Sequence, residues 1–334
     1  MSWAIVITAD ELESLLLANV AWHLATGASA VHVYLDRPDD PVAEKLRKIH
    51  GVQVTLCDDA HWNRLNKNKG RPVLQMSRQS LNANDALKNT TADWLVHLDA
   101  DEFLNPTGNL ALEFQYVREL DVELHFPAWE RAYFADQPIT GLFDGVMRGS
   151  TKGRHRHDGT IFKDNDDCLN LGMIGHAAGK CAVPTNSNFI LGVHWSFREK
   201  RGPKNRSERY GSQAARLYHF DGLTPLHWVI KSLRYASHDP NDLKRLVSDS
   251  RLAQIQRLLK TGGDRAAGQR LHDALRLLDA PYLDRLEGFG LLDRQGFNPL
   301  PKIQSILPDY TLPTAKEWDA QILERYPDMA DALK

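Results

Sequence analysis

The sequence predicts an α/β fold, with a mostly parallel sheet flanked by helices and a helical C-terminal extension. Three observations carry this. Residues 3 to 56 alternate short apolar runs with helical spacing in the order β-α-β-α-β, which sets the strands parallel with right-handed crossovers. Residues 94 to 104, Trp94-Leu-Val-His-Leu-Asp99-Ala-Asp101-Glu102-Phe-Leu, form an apolar run that stops abruptly in carboxylates. A buried central strand ends this way, at the carboxyl edge where open α/β sheets bind ligands. Residues 226 to 290 are dominated by helical spacing, as in Leu243, Leu246, Leu252, Ile255, Leu258 and Leu259.

The elements follow in order. Residues 3 to 7 read as the first strand, and Thr8-Ala-Asp10-Glu11 as a capping box opening a helix. Leu12, Leu15, Leu16, Val20 and Leu24 recur at helical spacing as far as Gly27. Residues 31 to 35 form the second strand, ending at Asp36, and a helix over 42 to 50 returns through Gly51 into a third strand over 52 to 56. Residues 73 to 89 predict a helix with an apolar stripe of Val73, Met76, Ala83 and Leu87. The opposite stripe is Gln75, Arg78, Gln79, Asn82 and Asp85. Such a stripe is ordinarily a solvated face. Because this helix leads directly into the Asp99 strand, a ligand-facing role for Gln79 and Asn82 is the competing reading. Beyond Pro106 the pattern is mixed, with a strand over 122 to 126 and an aromatic stretch through Phe143. Residues 150 to 170 are charged and aperiodic, as expected of a long loop that orders over a ligand as a lid. The tail after 295 is Pro-rich and closes in a short amphipathic helix, and no internal repeat is evident.

Composition excludes several classes. With 42% hydrophobic and 25% charged residues and a formal net charge of −2, the chain is ordinary for a globular protein. The basic clusters Arg64, Lys67, Lys69, Arg71 and Lys200, Arg201, Lys204, Arg206 are local and interrupted. They read as solvated loops, and no nucleic-acid partner is expected. Cys57, Cys168 and Cys181 lack zinc spacing and fit reduced thiols. No apolar run is long enough to span a bilayer, and the first residues begin a strand rather than a signal peptide. A cytoplasmic protein is expected, with peripheral association at the inner membrane face.

Asp99 and Asp101, spaced i, i+2 on an extended strand end, point the same way. They can share one cation and leave room for a phosphate oxygen, which suits Mg²⁺ or Mn²⁺ bridging a nucleotide diphosphate. Asp36 closes the second strand where a nucleotide base and ribose would sit, and Thr8 and Glu11 follow the first strand, placed for the same job. Downstream, His219 precedes Gly222, Pro225 and Trp228. It offers a nitrogen ligand that Mn²⁺ accepts, although a lone His is more often a satisfied core residue. Two other readings stand beside the metal-nucleotide one. In haloacid-dehalogenase phosphohydrolases an Asp-x-Asp strand end supplies a nucleophile, but there it closes the first strand, whereas here it closes about the fourth. The structural reading is a charged strand end that caps a helix.

At these residues the chain resembles a known group. Ile7-Thr-Ala-Asp-Glu11, Tyr34-Leu-Asp36, Gln79-x-x-Asn82 and Trp94-Leu-Val-His-Leu-Asp-Ala-Asp-Glu-Phe103 look like the family-2-like glycosyltransferases related to family 92. The resemblance runs over about residues 3 to 235 and takes in Gly179-Lys180. His219-Phe-x-Gly222 with Pro225 and Trp228 is similar to the H-F-x-G-x-x-K-P-W segment of glycogenin-like enzymes, where the His is the third metal ligand. The sequence departs from these patterns in places. The usual Lys of the first motif is Thr8 or Ala9, the Asn and Ser after Asp36 are Arg37 and Pro38, and the Lys before Pro-Trp is Thr224. Lys180 is then the candidate cation for the diphosphate, with Lys231 second.

The resemblance implies a GT-A, Rossmann-like domain over 1–235, with a nucleotide-binding half over about 1–105, an acceptor half over about 106–235, and a helical extension over 236–334. It implies metal-dependent transfer of a hexose from a nucleotide-diphosphate donor, a UDP-sugar by preference, to a hydroxyl of a glycan or lipid-linked acceptor. Stereochemical inversion and a place in polysaccharide biosynthesis are expected with it. Asp99, Asp101 and His219 would hold the Mn²⁺ or Mg²⁺, with Asp101 the direct ligand and Asp99 shared with the ribose. Glu130 and Asp164 are the candidate bases, while His194, Trp129 and Trp195 are candidates for the acceptor site. A non-catalytic nucleotide- or sugar-binding module is the remaining alternative.

Overall fold

The computed structural model describes residues 1–151, 161 and 167–333. They divide into two compact units. The first comprises Met1–Pro127, Ala178–Leu217 and Pro299–Tyr310, and the second Ala128–Ala177, Tyr218–Asn298 and Thr311–Lys334.

The first unit is built on a seven-stranded sheet. Strands β1 (Trp3–Ala9), β2 (Ala30–Leu35), β3 (Val52–Leu56) and β4 (Trp94–Leu98) lie in the order β3-β2-β1-β4, all parallel. Lys180–Pro184 adds antiparallel to β4, Glu123–Phe126 antiparallel to that, and Arg209–Gly211 closes the edge. The register sets Ile7 beside Leu98 and Ala9 beside Leu35, so β1, β2 and β4 end level. Alternation along β1 sends Ile5 and Ile7 to one face, where they pack with Leu16 and Val20. Ala4 and Val6 pack on the other face with Ala83 and Ala86. Both faces are covered, which is why these strands read as unbroken apolar runs. The α/β architecture with a mostly parallel sheet flanked by helices is therefore present as predicted.

Four helices separate these strands: α1 (Glu13–Ala25), α2 (Val42–Leu46), α3 (Asp59–Leu65) and α4 (Gln75–Asn89). Three local expectations are corrected. β1 runs on through Ala9 and pairs Thr8 with Tyr34, so Thr8 is strand and no capping box forms there. α1 starts after Leu12 with no side-chain cap. The helix expected over 42 to 50 ends at Leu46 and gives way to turns. In α4 the buried face is Gln79, Ser80, Asn82, Ala83, Asp85 and Ala86, whereas Val73 and Met76 are exposed. Beyond the exposed Gln75 the polar stripe is the packed one, because Arg78, Gln79, Asn82 and Asp85 each find a hydrogen-bond partner.

In the second unit Ala128–Phe134 pairs antiparallel with Val146–Gly149, which pairs antiparallel with Leu292–Asp293. Leu277–Leu278 runs parallel to Ala128–Phe134. The helical spacing of 226 to 290 resolves into Pro225–Ala236, Pro240–Leu246, Asp249–Lys260, Arg265–Arg276 and Ala280–Gly288. The tail carries Ala315–Arg325, opened by a capping box of Thr314 and Glu317. Among the described residues no helix is long and apolar enough to cross a membrane.

Candidate functional site

The order β3-β2-β1-β4 reverses chain direction across the sheet between β1 and β4. Such a switch point opens a crevice outside the carboxyl ends of the two strands. Here β1 delivers Thr8 and, just beyond it, Glu11, while β4 delivers Asp99 and Asp101. Lys180 opens the strand antiparallel to β4 and so sits at the same edge.

Asp99 is held from several sides. The Lys180 ammonium, wholly buried at 0% exposure, lies 2.8 Å from Asp99 Oδ2 and 3.2 Å from Glu102 Oε2. The Asp99 backbone N–H donates to Glu102 Oε2 at 2.8 Å, and the Gln79 amide donates to Asp99 Oδ1. Burial alone would raise the Asp99 pKa, but the Lys180 charge outweighs it and holds the carboxyl well below the usual range. Burial would likewise lower Lys180, yet Asp99 and Glu102 push it above its ordinary value. His97, buried on β4, has its Nδ1 bonded to the Gly192 carbonyl at 2.7 Å. Burial and the Lys180 charge depress it to about 4, so it is neutral near pH 7. Asp101 is buried two residues further on.

The polar stripe of α4 meets the strand ends. Asn82 Nδ2 donates to Thr8 Oγ1 at 3.0 Å, and its Oδ1 meets His61 Nε2 at 2.8 Å. Asp85 accepts from the Tyr34 hydroxyl at 2.9 Å and from Arg64 at 2.6 Å. Asp36, buried at the end of β2, accepts from Arg71 at 2.7 Å and Arg78 at 3.1 Å, both through Oδ2. Its Oδ1 is buried with no hydrogen-bond partner among the described residues. One carboxylate oxygen is thus left for a donor, next to two cations. Thr8, Glu11, Asp36, Gln79, Asn82, Asp99 and Lys180 all lie at this one edge of the first unit.

The second unit holds the other candidates. His219 ends the strand Ala215–His219, and its buried ring stacks on His176 with centroids 4.8 Å apart. The chain then turns through Gly222 at φ +76°, where a Cβ would sit 2.6 Å from that of Trp228. Between them Asp221 is buried against Lys231 at 3.0 Å, with Arg251 and Arg276 also beside it. Those cations, Arg251 foremost, overcome its desolvation and keep it ionised. Lys231 is therefore already engaged by a carboxylate.

Glu130 is wholly enclosed. It binds Arg148 at 3.0 Å and accepts from the Ile174 and Gly175 backbone N–H groups at 2.8 and 2.6 Å. Burial would raise its pKa, but Arg148, Arg276 and His219 bring it below the ordinary value. A general base for a hydroxyl needs the opposite shift and access to substrate. Glu130, expected as a candidate base, is held here as a buried anion beside His219. Asp164, and most of the lid expected over 150 to 170, lie outside the described residues. Trp129 is buried, with its ring close to Gly149. In the first unit His194 Nδ1 meets the Gly179 carbonyl at 2.9 Å, and the Arg206 and Arg209 guanidinium groups lie over the Trp195 ring, at 4.0 and 4.9 Å from its centroid.

Sequence reasoning missed several of the partners that the fold brings to these residues. Glu102 stood in the strand-end motif without a role. Arg71, Arg78, His61 and His176 carried no local signal, since each is recruited across many residues of chain.

No family model matches the chain, and no curated protein matches it. Among solved structures it is similar to Staphylococcus aureus TarS 1–349, at a TM-score of 0.32 and 14% identity over 93% of this chain and 80% of that one. HddC from Yersinia pseudotuberculosis gives 0.34 and 11%, over 66% and 93%. GalNAc-T7, solved with UDP, GalNAc and Mn²⁺, gives 0.37 and 12%, over 75% and 54%. At these scores no residue role is carried across, and the functional reading rests on this chain's own residues.

Proposed function

We propose that the chain is a metal-dependent glycosyltransferase that moves a sugar from a nucleotide-diphosphate donor, a UDP-sugar by preference, to a hydroxyl of a glycan or lipid-linked acceptor. One observation carries the reading: the β1/β4 switch point coincides with the Asp99-Ala-Asp101 strand end, where Asp99 is kept anionic by a buried lysine.

In this reading Asp36 accepts a base N–H through its open Oδ1, while Arg71 and Arg78 fix the carboxylate's orientation. Asp99, pinned by Lys180, Gln79 and the Glu102 contact, presents a fixed anionic edge to the ribose side of the site. Asp101 and His219 serve with Asp99 as metal ligands, a set of two carboxylates and one imidazole that suits Mn²⁺ or Mg²⁺. A metal held by those three side chains would supply positive charge to stabilise a diphosphate leaving group. Lys180, enclosed by two carboxylates, acts on Asp99 rather than on the phosphates. Asp164 remains the candidate base for inversion, and the place of action remains cytoplasmic.

A thermal-shift series with Mn²⁺ and UDP, GDP, CDP or dTDP tests the reading. A Mn²⁺-dependent stabilisation by one diphosphate is expected, abolished in Asp101→Ala and weakened in His219→Ala. Absence of any Mn²⁺-dependent nucleotide effect refutes it. A covalent aspartyl phosphate lost in Asp99→Asn would instead establish a phosphohydrolase, and binding without sugar transfer a non-catalytic module.

A further inference from the structure

The connection from α3 to α4 holds an arrangement that nucleotide chemistry does not use. Val73 is 91% exposed, Leu74 45% and Met76 46%, and Val73 is the most exposed large apolar side chain among the described residues. Isolated exposed apolar residues are ordinary, but a consecutive group at the tip of a connection marks a contact surface. This tip is also ordered by its own hydrogen bonds. Arg78 Nη1 donates to the Pro72 and Val73 carbonyls at 2.9 and 2.8 Å, and Asn66 Nδ2 donates to the Gly70 carbonyl at 2.8 Å. Lys67, Asn68 and Gly70 take positive φ values of 52°, 60° and 69°, which produces a tight reversal.

Charge indicates what would cover it. From Ala60 to Asn84 the chain has five cations, Arg64, Lys67, Lys69, Arg71 and Arg78, and no acidic residue. Arg64, Arg71 and Arg78 are spoken for by Asp85 and Asp36. Lys67 and Lys69 are exposed, immediately before the apolar tip. Apolar side chains adjoining lysines, on a fixed loop free of acid, are the pattern of a surface that enters the headgroup boundary of an anionic bilayer. A protein partner offering the same complementarity would place carboxylates opposite the lysines. It would not favour an apolar tip whose outermost side chain, Val73, stands almost wholly in water.

We propose that the 64–76 connection docks the protein on an anionic lipid surface, with Val73, Leu74 and Met76 entering the headgroup–acyl boundary and Lys67 and Lys69 against the lipid phosphates. The proposal is independent of the glycosyltransferase reading, because none of these five side chains takes part in the nucleotide edge.

Co-sedimentation of the full chain with vesicles tests it. Phosphatidylcholine vesicles containing about a third phosphatidylglycerol are compared with phosphatidylcholine alone. Preferential binding to the anionic vesicles is expected. It should fall by about tenfold both in Lys67→Glu/Lys69→Glu and in Val73→Ser/Leu74→Ser/Met76→Ser. The Mn²⁺-dependent nucleotide shift should be the same in both variants as in the parent, which separates failure here from failure of the proposed function. Equal binding to both vesicle types overturns the proposal. So does undiminished binding by the serine variant, which would reduce the effect to adsorption of a polycation. Tryptic cleavage after Lys67 and Lys69 should be blocked by anionic vesicles. Blockage by nucleotide and Mn²⁺ alone would make the segment a cover for the ligand and also overturn it.

Discussion

Replacing Lys180 with Met tests the centre of the nucleotide edge. The substitution keeps most of the side-chain volume and removes one charge from a site with no water-exposed lysine atoms to replace. Asp99 at 2.8 Å and Glu102 at 3.2 Å are then left as neighbouring anions with no cation between them. Breaking a buried ion pair from one side costs about 3–5 kcal/mol. Asp99 keeps 27% of its side chain exposed, so solvent relieves part of this. The expected loss is at the lower end, about 3 kcal/mol at pH 7.5.

The pH dependence follows from the sign of each shift. Asp99 is depressed, so its contribution is complete above the ordinary value of 3.8 and is lost only as pH falls through its lower folded value. Lys180 is raised, so its contribution is complete below 10.5 and is lost as pH rises through its higher folded value. Between those limits the parent pair is intact. In Lys180→Met the Asp99 carboxylate loses the charge that lowers its pKa and takes up a proton more readily, so the deficit should shrink from pH 7.5 to pH 5. Urea unfolding at both pH values measures it. Asp99→Asn in the Lys180→Met background should restore part of the stability, because it removes one of the stranded charges. A loss below about 1 kcal/mol at pH 7.5, or a loss that does not change with pH, refutes the buried-pair argument.

Three further substitutions probe the surroundings. Glu130→Gln leaves Arg148 buried without its counter-ion and should cost about 3 kcal/mol in urea unfolding; a surviving pH–rate profile of unchanged shape would confirm that Glu130 does not titrate in the reaction. Gly175→Ala places a Cβ 2.7 Å from His219 Cε1 and 3.1 Å from Glu130 Oε1. It should cost about 1–3 kcal/mol and weaken the Mn²⁺ effect while the far-ultraviolet circular dichroism stays unchanged. Gly179→Ala combines φ +66° with a Cβ 2.2 Å from the Phe126 carbonyl oxygen, so the backbone leading into Lys180 must move. Its thermal midpoint should drop by the equivalent of about 1–3 kcal/mol or more, and a midpoint equal to the parent's would contradict the close approach.

Much of this fold is legible in the chain because its signals are local. The apolar runs of β1, β2 and β4 are short and unbroken, since both sheet faces are covered, and the carboxylates after Leu98 mark where burial ends. The α4 stripe misleads for an equally physical reason. Gln79, Asn82 and Asp85 look like a solvated face because sequence records polarity and not partners. Here the partners are Asp99, Thr8, His61, Tyr34 and Arg64. Once each polar group is paired, burial no longer carries its usual penalty. The small Ala83 and Ala86 pack against the sheet, while Met76 on the helix and Val73 just before it are exposed.

The sequence by itself determined the parallel α/β order, the strand-end position of Asp99 and Asp101, and the placement of Asp36 after β2, because strand periodicity and chain order are local properties. Only the tertiary structure decided what those carboxylates do. Lys180 reaches Asp99 across 81 residues of chain, Arg71 and Arg78 occupy one oxygen of Asp36 and leave the other open, and Glu130 is held by Arg148 and two backbone N–H groups. Ionisation and accessibility depend on which charges folding brings within a few ångströms, and no spacing along the chain records that.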